Sequence, residues 1–503
     1  MLDEKNNNVV IIHESDSVAI ALKDFEEGER IFLGGKEIII NEMIPYGHKI
    51  AIKDVPKGED IIKYGYPIGH STGNIVTGSW IHSHNMKTNL QGELDYEYEK
   101  VEQSPAKQVY SFDQTFKGYV RDNGDVGIRN EVWIINTVGC INKTAELLAK
   151  MANQQFQDES IDGVYHFPHP FGCSQLGDDL TYTQKLLSNL VHHPNAAGVL
   201  VLGLGCENNY IELFKKVLGD YDNRRVKFLE VQAVSDEMET GLNLIEEVVE
   251  YAKKFKREDI PVSKLKIGLK CGGSDGFSGI TANPLVGRFA DHLISRGGTA
   301  VLTEVPEMFG AETILMNRAK NAEIFSKIVE LVNDFKRYFI RHDQVVYENP
   351  SPGNKKGGIT TLEEKSLGCI QKGGFAIVND VVQYGERVDE MGLNLLQGPG
   401  NDLVSVTALA ASGAHIVLFT TGRGTPFGGP VPTVKISTNT DLYEKKKNWI
   451  DFDAGQLLKN KDMNELSEEL FEYVLDVASG KLTANNELYG FKEIAIFKDG
   501  VTM

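Results

Sequence analysis

The stretch that decides the fold is AGVLVLGLG at residues 197–205, an unbroken apolar run that ends in glycine just before Cys206. A helix-length segment, NNYIELFKKVLG, follows at 208–219, and the run EVWIINTV at 131–138 is likewise followed by NKTAELLAKMANQQF. Further apolar runs lie at residues 264–271, 299–305, 375–382 and 415–422. Apolar runs that alternate with helical segments indicate strands buried on both faces of a largely parallel sheet. The sequence therefore predicts Rossmann-like α/β domains.

The first 95 residues have a different sequence pattern. Short β-like pieces such as VAIAL and EDIIKYG are bounded by Gly, Pro or Asp, which predicts a small all-β domain at residues 1–95. An acidic stretch without apolar periodicity predicts a linker at 96–117. Two α/β domains are then expected at 118–350 and 351–503, divided at a loop rich in Pro, Gly and Lys.

Composition limits the class of protein. The chain has 503 residues, 41% hydrophobic and 24% charged, as expected of a globular protein with two to four domains. A formal net charge of −19 argues against a nucleic-acid partner, because such a partner needs a basic surface. The sequence lacks an apolar run of membrane-spanning length and a signal-peptide layout, so we expect a cytoplasmic protein with no membrane partner. We also expect a homo-oligomer.

The cysteines concentrate at the ends of predicted strands. Of the five cysteines, four follow an apolar run: Cys140, Cys173, Cys206 and Cys271. Carboxyl ends of parallel strands form the ligand crevice of α/β sheets. A buried apolar role is the alternative for any single cysteine, but three of these four directly follow a glycine and so lie in turns. Thiolates at one crevice favour iron or an iron–sulfur cluster held by three cysteines. Cys369 is interpreted as structural.

The segment KCGGSDGFSGITANP (270–284) is unusually rich in glycine and short polar side chains. Gly272 and Gly273 allow backbone amides to approach an anionic ligand. Hydroxyl, amide and carboxylate groups suited to a polyhydroxylated ligand come from Ser274, Asp275, Ser278, Thr281 and Asn283. The incomplete glycine motifs elsewhere exclude dinucleotide and nucleoside triphosphate binding.

Histidines and arginines supply further candidates. His82 and His84 are two residues apart, which on a strand places both rings on one face, either to share a divalent metal or as exposed strand-end residues. His169 lies four residues before Cys173 and is a candidate base or ligand. Arg129 and Arg423 lie in glycine-containing loops, where a guanidinium can bind a carboxylate through two hydrogen bonds.

Taken together, long sequence blocks resemble the altronate dehydratase family over essentially the whole chain. The blocks are YGYPIGHSTGNIVTGSWIHSHN, RDNGDVGIRNEVWIINTVGC, FGCSQLGDDL, GLGCENN, LKCGGSDGFSGITANP, EVPEMFGAE, ENPSPGNKKGGITTLEEKSLG, PGNDLVSVTALA and FTTGRGTPFGGPVPTVKI. The related galactarate dehydratases share part of this set. The N-terminal piece resembles the SAF (β-clip) domain of these enzymes. One departure is the sequence His169-Pro170-Phe171, where the family usually has a tyrosine.

The resemblance implies a hydro-lyase that converts D-altronate to 2-dehydro-3-deoxy-D-gluconate in hexuronate catabolism, with Fe²⁺ or Mn²⁺ as cofactor. Galactarate or another aldonate is the alternative substrate. Two other classes stay open: a metal-dependent sugar-acid-binding protein without catalysis, and covalent catalysis by a thiol, which predicts activity without metal.

Roles follow from this implied reaction. Iron, or a cluster, is predicted to be held by Cys173, Cys206 and Cys271. Arg423 or Arg129 would bind the substrate carboxylate, and His169 would transfer a proton. The substrate hydroxyls are assigned to Asp275, which also counts among the catalytic residues, and to Ser274, Ser278, Thr281 and Asn283. His82 and His84 would form a second metal contact or reach into the site from the SAF domain as a lid.

Overall fold

A computed structural model describes residues 8–101, 114–156 and 159–503. Its N-terminal part is a small all-β domain of antiparallel pairs, as predicted. The strands are β1 (Val9–Val10), β2 (Val18–Ala21), β3 (Arg30–Leu33), β4 (Lys36–Ile39), β5 (Lys49–Ala51), β6 (Asp60–Lys63), β7 (Tyr66–Ser71), β8 (Trp80–Ile81) and β9 (Met86–Lys87). They pair in the orders β1-β2-β5-β8, β3-β4 and β6-β7-β9. Residues 102–113 of the predicted linker lie outside the described residues.

A second domain contains a parallel four-stranded sheet in the order β13-β12-β14-β15. Its strands are β12 (Glu131–Asn136), β13 (Gly163–His166), β14 (Ala196–Gly203) and β15 (Val226–Glu230). Its helices are α1 (Asn142–Gln155), α2 (Gly177–Val191), α3 (Ile211–Leu218) and α4 (Glu237–Ala252). A small antiparallel sheet of β10 (Thr115–Val120), β11 (Val126–Gly127) and β16 (Glu258–Pro261) leads into the third domain.

The third domain contains a parallel seven-stranded sheet in the order β19-β20-β18-β17-β21-β22-β23. Its strands are β17 (Lys266–Cys271), β18 (Thr299–Leu302), β19 (Val378–Val382), β20 (Gly392–Leu396), β21 (Ile416–Thr421), β22 (Thr433–Ser437) and β23 (Phe452–Asp453). Its helices are α5 (Ala282–Ser295), α6 (Glu312–Met316), α7 (Ala322–Arg341), α8 (Pro352–Lys356), α9 (Leu362–Cys369), α10 (Asp402–Ala411), α11 (Thr440–Lys445), α12 (Met463–Ala478) and α13 (Asn485–Leu488). Among the helices described, none combines the length and the apolar character that crossing a bilayer requires.

The boundary placed between residues 350 and 351 falls inside this sheet. Strands β17 and β18 precede it and β19 to β23 follow it, yet all seven strands belong to one hydrogen-bonded sheet. The loop near residue 350 is rich in Pro, Gly and Lys because it lines a cavity rather than because it connects two domains.

Helices α2 and α10 pack in the apolar layer between the two parallel sheets. His193, just after α2, donates from Nε2 to the carbonyl of Ala414, just after α10, at 3.1 Å. The two helices therefore end together and run in the same direction. Because each helix follows a parallel strand, the carboxyl edges of both sheets face the same end of the molecule, which is where α/β folds bind ligands.

Candidate active site

A cavity of about 570 Å³ lies at the carboxyl end of the central strand β17. Three segments form most of its wall: the turn Cys271–Gly273, the stretch 348–355, called here the cavity loop, and residues 400–402 at the start of α10. Gly272 is required in this turn, because a Cβ there would lie 2.6 Å from a carboxylate oxygen of Asp402. The predicted positions of Gly272 and Gly273 thus lie in the cavity wall.

Beneath this wall lies a buried group of two thiols and two carboxylates, called here the Cys271 group. Its members are Cys271, Glu304, Glu307 and Cys369, with ligand atoms all within 4.8 Å of one another. The two Sγ atoms are 3.7 Å apart, and Glu307 Oε2 lies 3.5 Å from Cys271 Sγ. Cys369, interpreted as structural from the sequence, therefore lies beside the cavity thiol.

Three buried lysines neutralise the Cys271 group. Lys270 Nζ donates to Glu304 at 2.6 Å, and Lys365 Nζ donates to Glu307 at 2.8 Å. Lys372 Nζ donates to the Cys369 sulfur at 2.9 Å. Three ammonium groups thus face two carboxylates in a site with almost no solvent exposure.

The ion pair between Lys365 and Glu307 is fixed in its charged form. Burial raises the pKa of Glu307, but the ammonium of Lys365, then that of Lys270, outweighs burial and holds this pKa at about 2. Burial lowers the pKa of Lys365, but the Glu307 carboxylate outweighs it and raises the pKa above its ordinary value. A charged acid and a charged base therefore lie side by side in the cavity wall.

The Cys271 group does not fit a resident divalent metal. Its thiols and carboxylates are suitable donor types for iron. However, the ammonium of Lys270 already occupies Oε2 of Glu304 and that of Lys365 occupies Oε1 of Glu307, and both would repel a cation in a site shielded from water.

Two cations near the cavity are available to an anionic ligand. Lys355 lines the cavity, and Arg423 lies beside it, since a Cβ on Gly273 would be 3.2 Å from the Arg423 Cβ. Within residues 8–101, 114–156 and 159–503, neither Lys355 nor Arg423 has an acidic partner within 4.0 Å. The predicted role of Arg423 in binding a carboxylate is compatible with this position.

The N-terminal β domain holds the cavity loop through an imidazole. His82 Nε2 donates to the Lys355 carbonyl at 2.9 Å, and its Nδ1 lies 3.0 Å from the Ser83 hydroxyl. Burial lowers the pKa of His82, so its ring is neutral at pH 7. Both ring nitrogens of His82 have partners, so its ring does not fit the predicted metal contact. The alternative, that His82 and His84 reach into the site as a lid, stays a prediction. His84 packs against Trp80 in a tilted arrangement, with ring centroids 5.2 Å apart.

Two residues predicted to be catalytic are instead bound within the protein framework. Arg129 binds Glu487 through two hydrogen bonds of 2.8 Å and is buried, so it has no free face for a substrate. His169 donates from Nε2 to the Asn136 carbonyl at 2.8 Å and accepts the Phe171 N–H at Nδ1. With both nitrogens committed and burial lowering its pKa, His169 does not fit a proton-transfer role.

The polar side chains after Gly273 mostly stabilise their own loop. Asp275 is buried and accepts hydrogen bonds from Thr438 at 2.8 Å and from the Phe277 N–H at 3.1 Å, so it is a loop anchor rather than a catalytic group. The remaining side chains bond to framework atoms: Ser278 to Asp275, Thr281 to the Thr438 carbonyl, and Asn283 to the Gly368 carbonyl and to Thr420. Only Ser274 adjoins the cavity chemistry, donating to Cys271 Sγ at 3.6 Å.

The predicted metal trio is divided between two places. Cys271 belongs to the buried group, whereas Cys173 and Cys206 are exposed in loops of the four-stranded sheet, together with Cys140. A single ion bound by Cys173, Cys206 and Cys271 does not match this arrangement, because the three segments belong to different sheets.

The sequence interpretation missed the charged residues of the cavity wall and its support. These are Lys270, Glu304, Glu307, Lys365 and Lys372. One feature of the sequence pointed to them, since Lys270 interrupts the apolar run of β17. In the structure, helix α9 (LEEKSLGC) is wholly buried although it carries three charged residues. A buried charge needs a partner, but the partners lie far away in the chain.

Comparisons with known proteins indicate the same family for all three domains of the chain. Residues 7–89 match the altronate/galactarate dehydratase SAF domain, 118–253 match the second domain of D-galactarate dehydratase/altronate hydrolase, and 262–502 match the D-galactarate/altronate dehydratase C-terminal domain. Altronate dehydratase of Bacillus subtilis is 57% identical over 496 residues, covering 98% of this chain and 99% of the relative. Altronate dehydratase of Escherichia coli is 52% identical, covering 98% and 99%. Galactarate dehydratase (L-threo-forming) of Escherichia coli is 33% identical, covering 97% and 96%.

Proposed function

The chain belongs to the altronate/galactarate dehydratase family of hydro-lyases, and from this premise we propose that it dehydrates D-altronate to 2-dehydro-3-deoxy-D-gluconate in hexuronate catabolism. Two relatives that carry the name altronate dehydratase are 57% and 52% identical to it, against 33% for the galactarate enzyme. D-Altronate is assigned as the substrate because the chain is more similar to the altronate enzymes than to the galactarate enzyme.

One structural observation supports the proposal most strongly: the Glu307–Lys365 pair, joined at 2.8 Å, lies in the wall of a cavity that is also lined by Lys355. Lys355 and Arg423 supply the positive charge that a sugar-acid carboxylate needs in a chain with a net charge of −19. Asn349 of the same cavity loop supports the pair, because its amide oxygen accepts a hydrogen bond from Lys365 at 3.1 Å.

The pair can perform both proton transfers. The Glu307 carboxylate takes the C2 proton, the C–H electron pair forms the C2–C3 double bond, and the C3 hydroxyl leaves as water with a proton from Lys365. Direct transfer of a proton from Glu307 to Lys365 along their hydrogen bond then restores the ion pair. The enol product moves a proton from its C2 hydroxyl to C3 to give the 2-keto acid.

The proposed cofactor is iron rather than manganese. The lysine-paired carboxylates of the Cys271 group are not available to a metal, whereas the exposed thiols Cys140, Cys173 and Cys206 are, and thiolates suit iron while manganese prefers oxygen. Bound iron supplies Lewis-acid polarisation of a substrate oxygen. A homo-oligomer stays a prediction.

The test is turnover of D-altronate, galactarate and D-mannonate by anaerobically purified enzyme, with detection of the 2-keto product. D-Altronate should have the highest kcat/KM, and a higher value for galactarate would overturn the substrate assignment. Lys365→Met should lower kcat by about 10²–10⁴-fold, the usual contribution of a proton-transfer group. Lys356→Met is the matched control, because Lys356 is exposed and is not among the cavity-lining residues. Binding without any product would identify a sugar-acid-binding protein instead.

A further inference from the structure

The end of helix α8 is held by side chains of the SAF domain. Three carbonyl groups there accept hydrogen bonds from that domain: Lys355 from His82 Nε2 at 2.9 Å, Lys356 from His48 Nε2 at 3.3 Å, and Gly358 from Lys49 Nζ at 2.7 Å. The last carbonyls of a helix lack partners within the helix, so donors from elsewhere decide how firmly its end is fixed. The SAF domain supplies a donor to each of these three groups.

The backbones of the two domains also meet at the end of α8, and glycines permit the close approach. The Gly47 carbonyl oxygen, just before β5, would lie 2.3 Å from a Cβ on Gly358 and 2.0 Å from a Cβ on Gly276. The Gly276 N–H donates in turn to the Gly357 carbonyl at 2.7 Å. The end of α8 is therefore enclosed between the SAF domain and the glycine-rich segment that follows β17.

The His48 ring has a fixed orientation and a fixed tautomer. The Trp80 indole N–H donates to His48 Nδ1 at 3.2 Å, so the ring proton of His48 lies on Nε2, which faces the Lys356 carbonyl. The Trp80 ring also stacks on the His82 ring, with centroids 5.2 Å apart. Burial lowers the pKa of His48 to about 4, so the ring is neutral at pH 7. His48 is thus a buried hydrogen-bond donor to the end of α8.

This contact lies next to a cavity cation. Lys355 lines the cavity, whereas His48 and Lys356 are not among the lining residues. The beginning of α8 has anchors of its own, because Ser351 and Asn354 form a capping box and the Asn354 amide donates to the Ser274 carbonyl at 2.8 Å. Loss of the His48 donor should therefore loosen the end of the helix, where Lys355 lies, and leave its beginning in place.

We propose that His48 is a positioning residue of the dehydration, which sets the place of the Lys355 ammonium in the cavity through the Lys356 carbonyl. Trp80 supports it by fixing the ring. This inference rests on the proposed function, in which Lys355 attracts the sugar-acid carboxylate. Because His48 takes no part in proton transfer, loss of its donor should raise KM and leave kcat nearly unchanged. A role in packing alone predicts a less stable protein with an unchanged KM.

The experiment compares KM and kcat of full-length variants with those of wild type. His48→Phe keeps a ring but removes the donor, and it should raise KM about tenfold, the effect of one lost hydrogen bond to a buried carbonyl. His48→Gln keeps an N–H donor and should bring KM back to within about twofold of wild type. Trp80→Phe should raise KM less than His48→Phe, because the donor remains but its tautomer is no longer fixed. His13→Phe is the matched control, since His13 is an exposed histidine of the same domain.

A double-mutant cycle tests whether His48 acts through Lys355. Lys355→Met alone should raise KM, and adding His48→Phe should change KM by less than about twofold, because the cation that His48 positions is already absent. Independent, multiplying increases in KM would show that His48 acts elsewhere and would overturn the inference. An unchanged KM in Lys355→Met would overturn it as well.

Amide hydrogen exchange of residues 353–358 provides a readout that does not depend on activity. Exchange should be faster in His48→Phe than in wild type and unchanged in His13→Phe. Unchanged exchange in His48→Phe would contradict the proposed contact, and faster exchange with an unchanged KM would contradict the positioning role. KM is measured for the sugar acid that wild type converts fastest. A preference for galactarate would therefore contradict the proposed substrate and leave the role of His48 standing.

Discussion

Replacing Glu364 by glutamine perturbs the contact that joins the SAF domain to the third domain. The Glu364 carboxylate accepts hydrogen bonds from the ammonium groups of Lys49 and Lys63, each at 2.8 Å, and the three side chains are at most 1% exposed. Burial raises the pKa of Glu364, but the two ammonium charges outweigh it and hold this pKa at about 2. The carboxylate is therefore ionised at neutral pH.

The expected loss of stability follows from the burial of these three charged groups. Glu364→Gln leaves two buried ammonium groups without their counter-charge, and removing one partner of a buried ion pair costs about 3–5 kcal/mol. The exposed pair of Arg30 and Glu37, which lies within the SAF domain, provides a matched control. Its side chains are 62% and 40% exposed, so Glu37→Gln should cost at most about 1 kcal/mol.

The assay is urea unfolding at pH 7, followed by far-UV circular dichroism and by tryptophan fluorescence, to which Trp80 of the SAF domain contributes. The free energy of unfolding should fall about 3–5 kcal/mol in Glu364→Gln and scarcely change in Glu37→Gln. The KM for substrate should also rise, because His82 of the SAF domain holds the cavity loop. Small and equal changes in the free energy of unfolding of both variants would refute the reasoning that the buried triad of Lys49, Lys63 and Glu364 stabilises the contact between the SAF domain and the third domain.

Further predictions concern residues whose expected roles the structure changed, and the dependence of stability on pH. Arg129→Met should lower the free energy of unfolding by about 3–5 kcal/mol, because Glu487 is left buried and unpaired, while steady-state KM is unchanged. His82→Ala should lower kcat/KM about tenfold through loss of one hydrogen bond to the cavity loop, and His84→Ala should not. The depressed pKa of Glu307, about 2, contributes stability that is present above pH 4.5 and is lost as pH falls towards 2. Urea titrations at pH 6 and pH 3 should show that loss, and Glu307→Gln should reduce it.

Apolar patterning was sufficient to predict the fold class, although not the division of the C-terminal part into domains. The run at 197–205 became β14, Ala196–Gly203, because strands buried on both faces must be apolar throughout. The same logic placed Cys271 at the carboxyl end of a central strand, beside two glycines that line the cavity. Patterns within one segment therefore carried both the fold class and the edge at which the site lies.

Side-chain roles depended on contacts that no local pattern contains. Arg129 and Arg423 looked alike in sequence, yet Arg129 is neutralised by Glu487, more than 350 residues later in the chain. Similarly, the acidic residue of the cavity pair, Glu307, acquires its state from Lys365 on a separate helix. Burial and long-range pairing determine which charged group is free, and both are properties of the tertiary structure.

The central claim is that the Glu307–Lys365 pair performs the proton transfers of the dehydration. The most direct measurement is the single-turnover rate of D-altronate dehydration by Glu307→Gln, with Glu348→Gln as control, because Glu348 lines the same cavity but is exposed. The account predicts that Glu307→Gln reacts about 10²–10⁴-fold more slowly than wild type while Glu348→Gln reacts at the wild-type rate. A Glu307→Gln enzyme as fast as its control would contradict it.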